Sequence, residues 1–438
     1  MMQILGSGAA GGESSWMTKI DYTSVYPGQL FYDSDNEFVI AMGAGGGGVI
    51  QITLNASDGA YKSSNYPRLR VHDTGESFSR PKICRISTGT YGYGMYNYNG
   101  SYEQGHLRTG DINFANGDNQ IDIYKSGVYK GSFTQVVGDN NLWVAFDLYS
   151  HPTTTIIAGR YNAQLAANSR AEKWDYNTGK LMYLRDMTGD EDTQFLNITR
   201  GTATSSGEYT LTVMKVAIGY LDWSKQFRIS SKSTQAGEQK SIAFLYNAPG
   251  VSNKVVAVGH TEPSNYSEMF VVSLAYNGNV NYQKSYYSGS FHFYSHSVAI
   301  DTSGNTYVCG FKQASPNRGI IMKLNDSGVF QWGIEVSASD AVEILGIDVD
   351  NNGNIYFNGY TTETNRKLII GKIPDDGSTS GTYDSVTFAS ISMSTRDAPT
   401  TAESVSGTFN DGSNMLEQGT GDSQIDVFTA TSTNTTTL

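Results

Sequence analysis

A spacing of 49 residues constrains this chain more than any other feature. In "VAIDTSGNTYVCGF" (298–311) and "LGIDVDNNGNIYFNGY" (345–360), Asp301 corresponds to Asp350, Gly304 to Gly353 and Gly310 to Gly359, each pair 49 residues apart. Both copies continue in one order: an apolar run ("GIIMKL" or "KLIIGKI"), a turn ("NDSG" or "PDDG"), and a more polar strand carrying Trp332 or Tyr383. One unit upstream, "MFVVSLAYNGNVNYQKSY" (269–286) places Gly278 50 residues before Gly328, which itself lies 49 before Gly377. A fixed offset of this size signals stacked or radially arranged units.

Fainter copies reach toward the N-terminus. Asp58-Gly59 with Tyr61, Gly127 with Tyr129, Gly179 with Tyr183, and Tyr220 with Trp223 repeat the turn-then-aromatic order, giving seven units between residues 31 and 396. Four short strands in such a period fit a propeller blade, because a lone blade exposes sheet faces that a ring of blades buries. A pair of β-sandwiches would explain the short strands but would not require the same Asp, Gly, Gly and aromatic at one spacing. The expectation is an all-β β-propeller of seven four-stranded blades over 31–396. It has an extended N-terminal arm over 1–30 and a Thr/Ser/Gly-rich C-terminal arm over 397–438.

The repeat has a competing local reading. Asp348, Asp350 and Asn352 followed by Gly353 match half of a calcium loop, but the position that should hold a bidentate Glu is Gly359. The flanks alternate at period two, as strands do, so the segment reads as a hairpin turn. Asp301 and Asp350 are then acceptors for turn N–H groups. Gly304 and Gly353 supply the turn, and Gly310 and Gly359 admit close backbone approach.

Composition agrees with this architecture. The 48 glycines and 29 tyrosines suit Gly-rich turns between pleated strands. Ala-rich "AGRYNAQLAANSRAEKWD" (158–175) is short and interrupted, and reads as a loop. Thirty Lys and Arg against 42 Asp and Glu give a net charge of -12, which argues against nucleic acid. No stretch approaches the length of a spanning helix, so no membrane insertion is expected. Only Ile4 and Leu5 precede a Gly/Ala/Ser run, which does not read as a secretory signal. Cys84 and Cys309 indicate no disulfide framework.

Catalytic signatures are missing from the sequence: there is no GxSxG, HExxH, Walker-type loop, or GxGxxG opening a helix. "GAGGGGVIQI" (43–52) reads as a hairpin between strands. His292 and His296, four apart, would share a face of an extended strand, but no third zinc ligand stands nearby, and inter-blade hydrogen bonding is the better reading. No enzyme, cofactor or metal is expected. The most suggestive surface is "TGTYGYGMYNYNGSYEQG" (88–105), whose Tyr91, Tyr93, Tyr96, Tyr98 and Tyr102 alternate with Gly and Asn over a span too Gly-rich for a central strand. Tyrosines offer large contact area with a polar tip, suiting protein interfaces and sugar stacking.

The units resemble bacterial and viral β-propeller repeats of the form "GIAVDSSGNVYVTGYT…AFVAKLDSSGNVLW". Asp301, Gly304, Asn305, Tyr307, Gly310, Lys323, Leu324, Gly328 and Trp332 occupy the family's marked positions, as do Asp350, Gly353, Asn354, Tyr356, Gly359, Lys372, Ile373 and Gly377. Cys309 departs from the usual Thr. The C-terminal "ISMSTRDAPTTAESVSGTFNDGSNMLEQGTGDS" (391–423) is similar to the Thr/Ser/Gly/Asp-rich ends of structural proteins in marine tailed phages, especially those infecting cyanobacteria. That resemblance implies a non-enzymatic virion component of the tail, baseplate or a fibre. The propeller would be a rigid hub, and both termini would attach it to other virion structural proteins. The alternative is a host receptor or glycan-binding module using the tyrosine segment, and the remote one a polysaccharide-degrading enzyme.

Overall fold

The computed structural model describes residues 15–437 except 22–25, 35–36, 46–47, 61–65, 70–76, 79–81, 88, 99–102, 111–118, 125–134, 139–140, 151–152, 163–166, 176–179, 190–192, 203–208, 218–219, 231–240, 246–247, 262–265, 363–366, 399–401, 405–407, 412–416, 420–424 and 429–432. Among the described residues every regular element is a strand, and the strands form seven antiparallel sheets.

Within a sheet, strands follow the chain from the inside outward. Sheet 1 holds Tyr26–Asp33, Phe38–Gly45, Gly48–Asn55 and Tyr66–Leu69; sheet 2 holds Lys82–Ser87 with short Ser77–Phe78, then Thr90–Tyr98, Glu103–Gly110 and Asn119–Tyr124. Sheet 3 holds Gln135–Gly138, Asn141–Ser150, Thr153–Asn162 and Ala167–Asp175; sheet 4 holds Lys180–Gly189, Thr193–Thr202, Tyr209–Ala217 and Tyr220–Ser230. Sheet 5 holds Ser241–Leu245, Lys254–Thr261, Glu268–Ala275 and Val280–Tyr287; sheet 6 holds His292–Ile300, Thr306–Gln313, Arg318–Leu324 and Phe330–Ser337. Sheet 7 holds Val342–Val349, Ile355–Thr361 and Lys367–Ile373, and its fourth strand is Trp16–Asp21 from the other end of the chain. The first strand of each sheet touches the first strand of the next, and Val342–Val349 touches Tyr26–Asp33, so the ring closes. This is an all-β propeller.

The expected four-stranded blades with extended arms are overturned. Every sheet has five or six strands, because the C-terminal segment adds one to each and a second to sheet 6. Val386–Ser390 joins sheet 6, followed outward by Gly381–Tyr383; Ser394–Asp397 joins sheet 5, Ala402–Ser404 sheet 4, and Thr408–Asp411 sheet 3. Glu417–Gly419 joins sheet 2, Ile425–Phe428 sheet 1, and Thr433–Thr437 lies on Trp16–Asp21 in sheet 7. An edge strand is held by backbone hydrogen bonds that any composition can make, which is why a Thr/Ser/Gly-rich stretch serves. Trp16–Asp21 and the seven short strands from Val386–Ser390 to Thr433–Thr437 are thus parts of the sheets.

Two further expectations are corrected. Residues 158–162 and 167–175 are not a loop but parts of two paired strands, whose register shifts between Ala158 and Arg160 and between Arg160 and Tyr161 absorb the irregular sequence. Thr90–Tyr98 is a central strand, paired on both sides, because a two-sided ladder holds Gly-rich backbone extended.

Sheets meet face to face, so inner-layer strands are apolar on both sides. Lys254–Thr261 is buried throughout and Glu268–Ala275 nearly so, which is why "VVAV" and "FVV" run continuously where a half-exposed strand would alternate. Between sheets 5 and 6, Val256, Val258, Met269 and Val271 pack on Val308, Ile320, Met322 and Leu324. Between sheets 6 and 7, Tyr307, Cys309 and Ile321 pack on Ile347, Ile355 and Ile369.

The recurring residues build the ring. The Asp301 carboxylate accepts the N–H groups of Ser303 and Asn305 at 2.9 and 2.8 Å, the Asn305 amide at 2.7 Å and the Tyr307 hydroxyl at 2.9 Å. Asp350 repeats this with Asn352, Asn354 and Tyr356 at 2.9, 2.8, 2.8 and 3.2 Å. Gly304 and Gly353 take φ of 84° and 85° to complete the reversal. The outer-strand aromatic of one sheet lies on the glycine turn of the next: Trp332 covers Gly377, where a Cβ would lie 2.6 Å from the ring, and its indole N–H donates to the Asp375 carbonyl at 2.7 Å. Trp16 does the same against Gly59, with its indole N–H on the Ala56 carbonyl at 2.9 Å. Trp16 thereby fills the role that the sequence reading gave to Tyr383, which instead sits at the edge of sheet 6.

Gly310 has a different reason. A Cβ there would lie 1.8 Å from the Tyr294 carbonyl oxygen and 2.9 Å from Ser295 Cα, beside the register shift between Ser295 and Ser297. Gly359 meets the Glu343 carbonyl in the same way at 2.2 Å. Because backbone cannot step aside as a side chain can, Gly310→Ala is expected to lose about 2 kcal/mol, read as a lower denaturant midpoint with an unchanged slope. A loss within error would mean the bulge relaxes freely.

Candidate interaction face

The two ends of the ring differ chemically. At the turn end, where first strands turn into second and third into fourth, Asp301 and Asp350 spend both oxygens on local donors and the glycines of the third-to-fourth turns, such as Gly328 and Gly377, lie under aromatic rings. That end is consumed by folding. The other, the loop end, is where the chain enters each first strand and passes from second to third.

At the loop end of sheets 5 to 7, aromatic and imidazole rings form a continuous stack. His292 lies parallel to Tyr294 (6.2 Å, 7°), Tyr294 to Phe311 (4.8 Å, 21°) and Phe311 to His296 (5.4 Å, 21°), while His260 meets Tyr294 edge-on at 4.8 Å. Tyr266 approaches His292 at 5.4 Å and is 38% exposed; Phe291, under the Lys312 ammonium at 4.3 Å, is 44% exposed. These two rings are the aromatic members of the exposed large hydrophobic residues among the described residues, and both flank His292 in space or sequence.

Polar groups frame the rings. The Ser267 N–H donates to His292 Nδ1 at 3.0 Å, so the neutral ring carries its proton on Nε2. Tyr294 donates its hydroxyl hydrogen to Gln313 at 3.2 Å. Glu335 accepts from Lys312 at 2.9 Å and from Arg318; burial pushes its carboxyl up, and these two cations outweigh that and hold it below the ordinary value. Glu343 accepts from Asn317 at 3.0 Å and faces His296 at 3.8 Å; burial raises it, while His296, Tyr360 and Asn317 lower it further.

The two histidines do not share a ligand. His292 engages Ser267 of sheet 5, and His296 engages Glu343 of sheet 7; Tyr294 and Phe311 stand between their rings, and the extra residue of the bulge breaks the alternation that a four-residue spacing assumes. Among the described residues no three His, Cys, Asp or Glu side chains are grouped as a metal site.

The tyrosine segment fares differently from expectation. Tyr91 is 1% exposed, and its hydroxyl donates to Asp33 of sheet 1, so it is a tie between sheets and not a surface contact. Tyr93, Tyr96 and Tyr98 lie in the central strand with side chains outside the described set, and Tyr102 lies outside the described residues. The sequence reading missed Tyr266, Phe291, Tyr294 and Phe311. One signal was available: the residue after the recurring second-strand glycine, His260, Phe311 and Tyr360, changes from unit to unit while the glycine stays.

No protein-family model matches the chain, and no curated protein matches it. Among solved structures, the subtype N10 neuraminidase-like protein of A/little yellow-shouldered bat/Guatemala/060/2010 is similar over 68% of this chain and 93% of its own, with 9% identity and a TM-score of 0.42. Drosophila Semaphorin 1b, extracellular domains 1–2, is similar over 82% of this chain and 86% of its own, with 10% identity and a TM-score of 0.44. Neither ties the chain to a phage. The propeller assignment rests on the closed ring of sheets.

Proposed function

We propose that this protein is a non-enzymatic recognition propeller that binds a surface glycan through the loop end of sheets 5 to 7. The observation that carries the reading is the pair of exposed rings, Tyr266 and Phe291, beside His292 on an otherwise polar rim. Two rings with hydrogen-bonding neighbours suit the apolar face and hydroxyls of a sugar, whereas a stable protein interface needs a larger apolar centre. A catalytic role draws little support from the same groups. Glu335 and Glu343 are held ionised by partners, so neither keeps the proton that a general acid would donate.

The virion setting, as part of a tail, baseplate or fibre, rests on the sequence resemblance. In that setting the closed ring is the rigid hub and the loop end the receptor-facing surface. Trp16–Asp21 and Thr433–Thr437 serve as strands of sheet 7.

The paired substitution of Tyr266 and Phe291 by Ala tests this on a glycan array and on host cells. Stacking on each ring is worth about 1 kcal/mol, so a loss of roughly ten- to thirtyfold in affinity is expected with an unchanged melting temperature. Undiminished binding would place recognition elsewhere on the ring.

A further inference from the structure

We propose that residues 392–437 form a strap that docks after the ring is built and keeps its outer edges from pairing with those of a second copy. The inference is independent of what the loop end binds. The strap's strands begin at residues 394, 402, 408, 417, 425 and 433, after a first station at 386, in steps close to eight. They visit sheets 6, 5, 4, 3, 2, 1 and 7, against the order in which the sheets are made. Apart from the closing strand Trp16–Asp21 and the short Ser77–Phe78, the other strands pair with sequence neighbours. The strap instead pairs with strands completed long before it, ending on Trp16–Asp21.

The geometry fits a strap. Eight extended residues reach at most about 29 Å, enough for a short ladder and a crossing to the next sheet. Its beginning is fastened: Phe388, Met393 and Ala398 are buried, and Arg396 holds Glu268, itself buried, through Nε at 3.0 Å and through a second guanidinium nitrogen, over the ring of Tyr287. Farther along, stations pair only three to five residues, as in Lys225–Phe227 with 402–404 and Trp16–Ile20 with 433–437. Such stations are weak singly, but each docked one raises the local concentration of the next. Its last station covers the strand that closes sheet 7. Lifted, the strap would leave six bare strand edges, each a template for another chain.

The test uses the full chain with a protease site inserted between residues 398 and 402, cut after folding. The freed piece is expected to co-elute with the ring. Guanidinium below the main unfolding transition should release it, the ring should then sediment as higher oligomers, and the synthetic piece should restore the original size. A ring that keeps its size after losing the piece, or a piece that leaves only as the ring melts, would overturn the proposal. If the insertion blocks folding, hydrogen exchange on the unaltered chain decides. Amides of 433–437 should open at a denaturant concentration that leaves closed both Lys254–Thr261 and the ladder of Trp16–Asp21 with Lys367–Ile373; simultaneous opening of all three would overturn it.

Discussion

Asp186→Ala is expected to lower stability by about 4 kcal/mol, although the residue belongs to none of the recurring turns. Asp186 sits in the first strand of sheet 4, just past the register shift after Leu184, and is 5% exposed. One oxygen accepts from the Lys82 ammonium of sheet 2 at 2.9 Å; the other accepts from the Ser241 hydroxyl and the Ile242 N–H of sheet 5 at 2.7 and 3.1 Å. One carboxylate therefore joins three sheets around the axis. Its removal strands a mostly buried cation, a hydroxyl and a backbone N–H, and the desolvation of each then goes unanswered. Lys82→Met keeps the stem and removes the charge, so adding it to Asp186→Ala should cause less further loss than it does alone. Urea titration with a fixed slope measures all three variants. A loss below about 1 kcal/mol for Asp186→Ala would show that water answers those groups as well as the carboxylate does.

What could be read in advance follows from how local each interaction is. The Asp301 and Asp350 turns close within six residues, and their glycines are required by a positive φ, so spacing alone revealed the repeat. The closing of sheet 7 was hidden because Trp16 pairs with Lys372, and nothing near "WMTKID" announces a partner so distant. The C-terminal strands were hidden for another reason. Strands added to an edge need no alternation of apolar residues, and a Thr/Ser/Gly/Asp composition reads as flexible until the sheets that receive it are known. The tyrosine segment misled through its glycines, since Gly92 and Gly94 are held extended by ladders on both sides.

The same locality accounts for the division between the ring's ends. Turns that repeat must use their polar groups on themselves, as Asp301 does, which leaves them little to offer a ligand. Loops that enter a first strand or join second to third carry no such duty, and Phe291 and Tyr266 remain exposed in them.

Between pH 4 and pH 7 the wild-type protein is expected to lose about 3 kcal/mol that an Asp348→Asn variant keeps. Asp348 lies in the first strand of sheet 7, where its carboxylate accepts the N–H groups of Tyr32, in sheet 1, and of Val349, each at 2.9 Å. It spans the seam at which the ring closes. Burial pushes its carboxyl up to about 6 and the neighbouring Asp350 adds to this, while the two N–H donors only partly offset them. A native state with the higher pKa holds the proton more tightly than the unfolded chain does, so this contribution is present in full below the ordinary value of 3.8 and is lost as pH rises through about 6. A difference near two units, at about 1.4 kcal/mol each, gives the expected size. Glu335 and Glu343 act in the opposite sense, since their carboxyls are lowered and their contribution disappears only as pH falls below the ordinary 4.5. Asn still offers one acceptor to the seam and sets a proton-bearing nitrogen against the other N–H, a penalty that does not vary with pH. The variant's stability minus the wild type's should therefore rise from pH 4 to pH 6.5 and then level. Parallel curves across that interval would mean the carboxylate at the seam is already compensated in its ionised form.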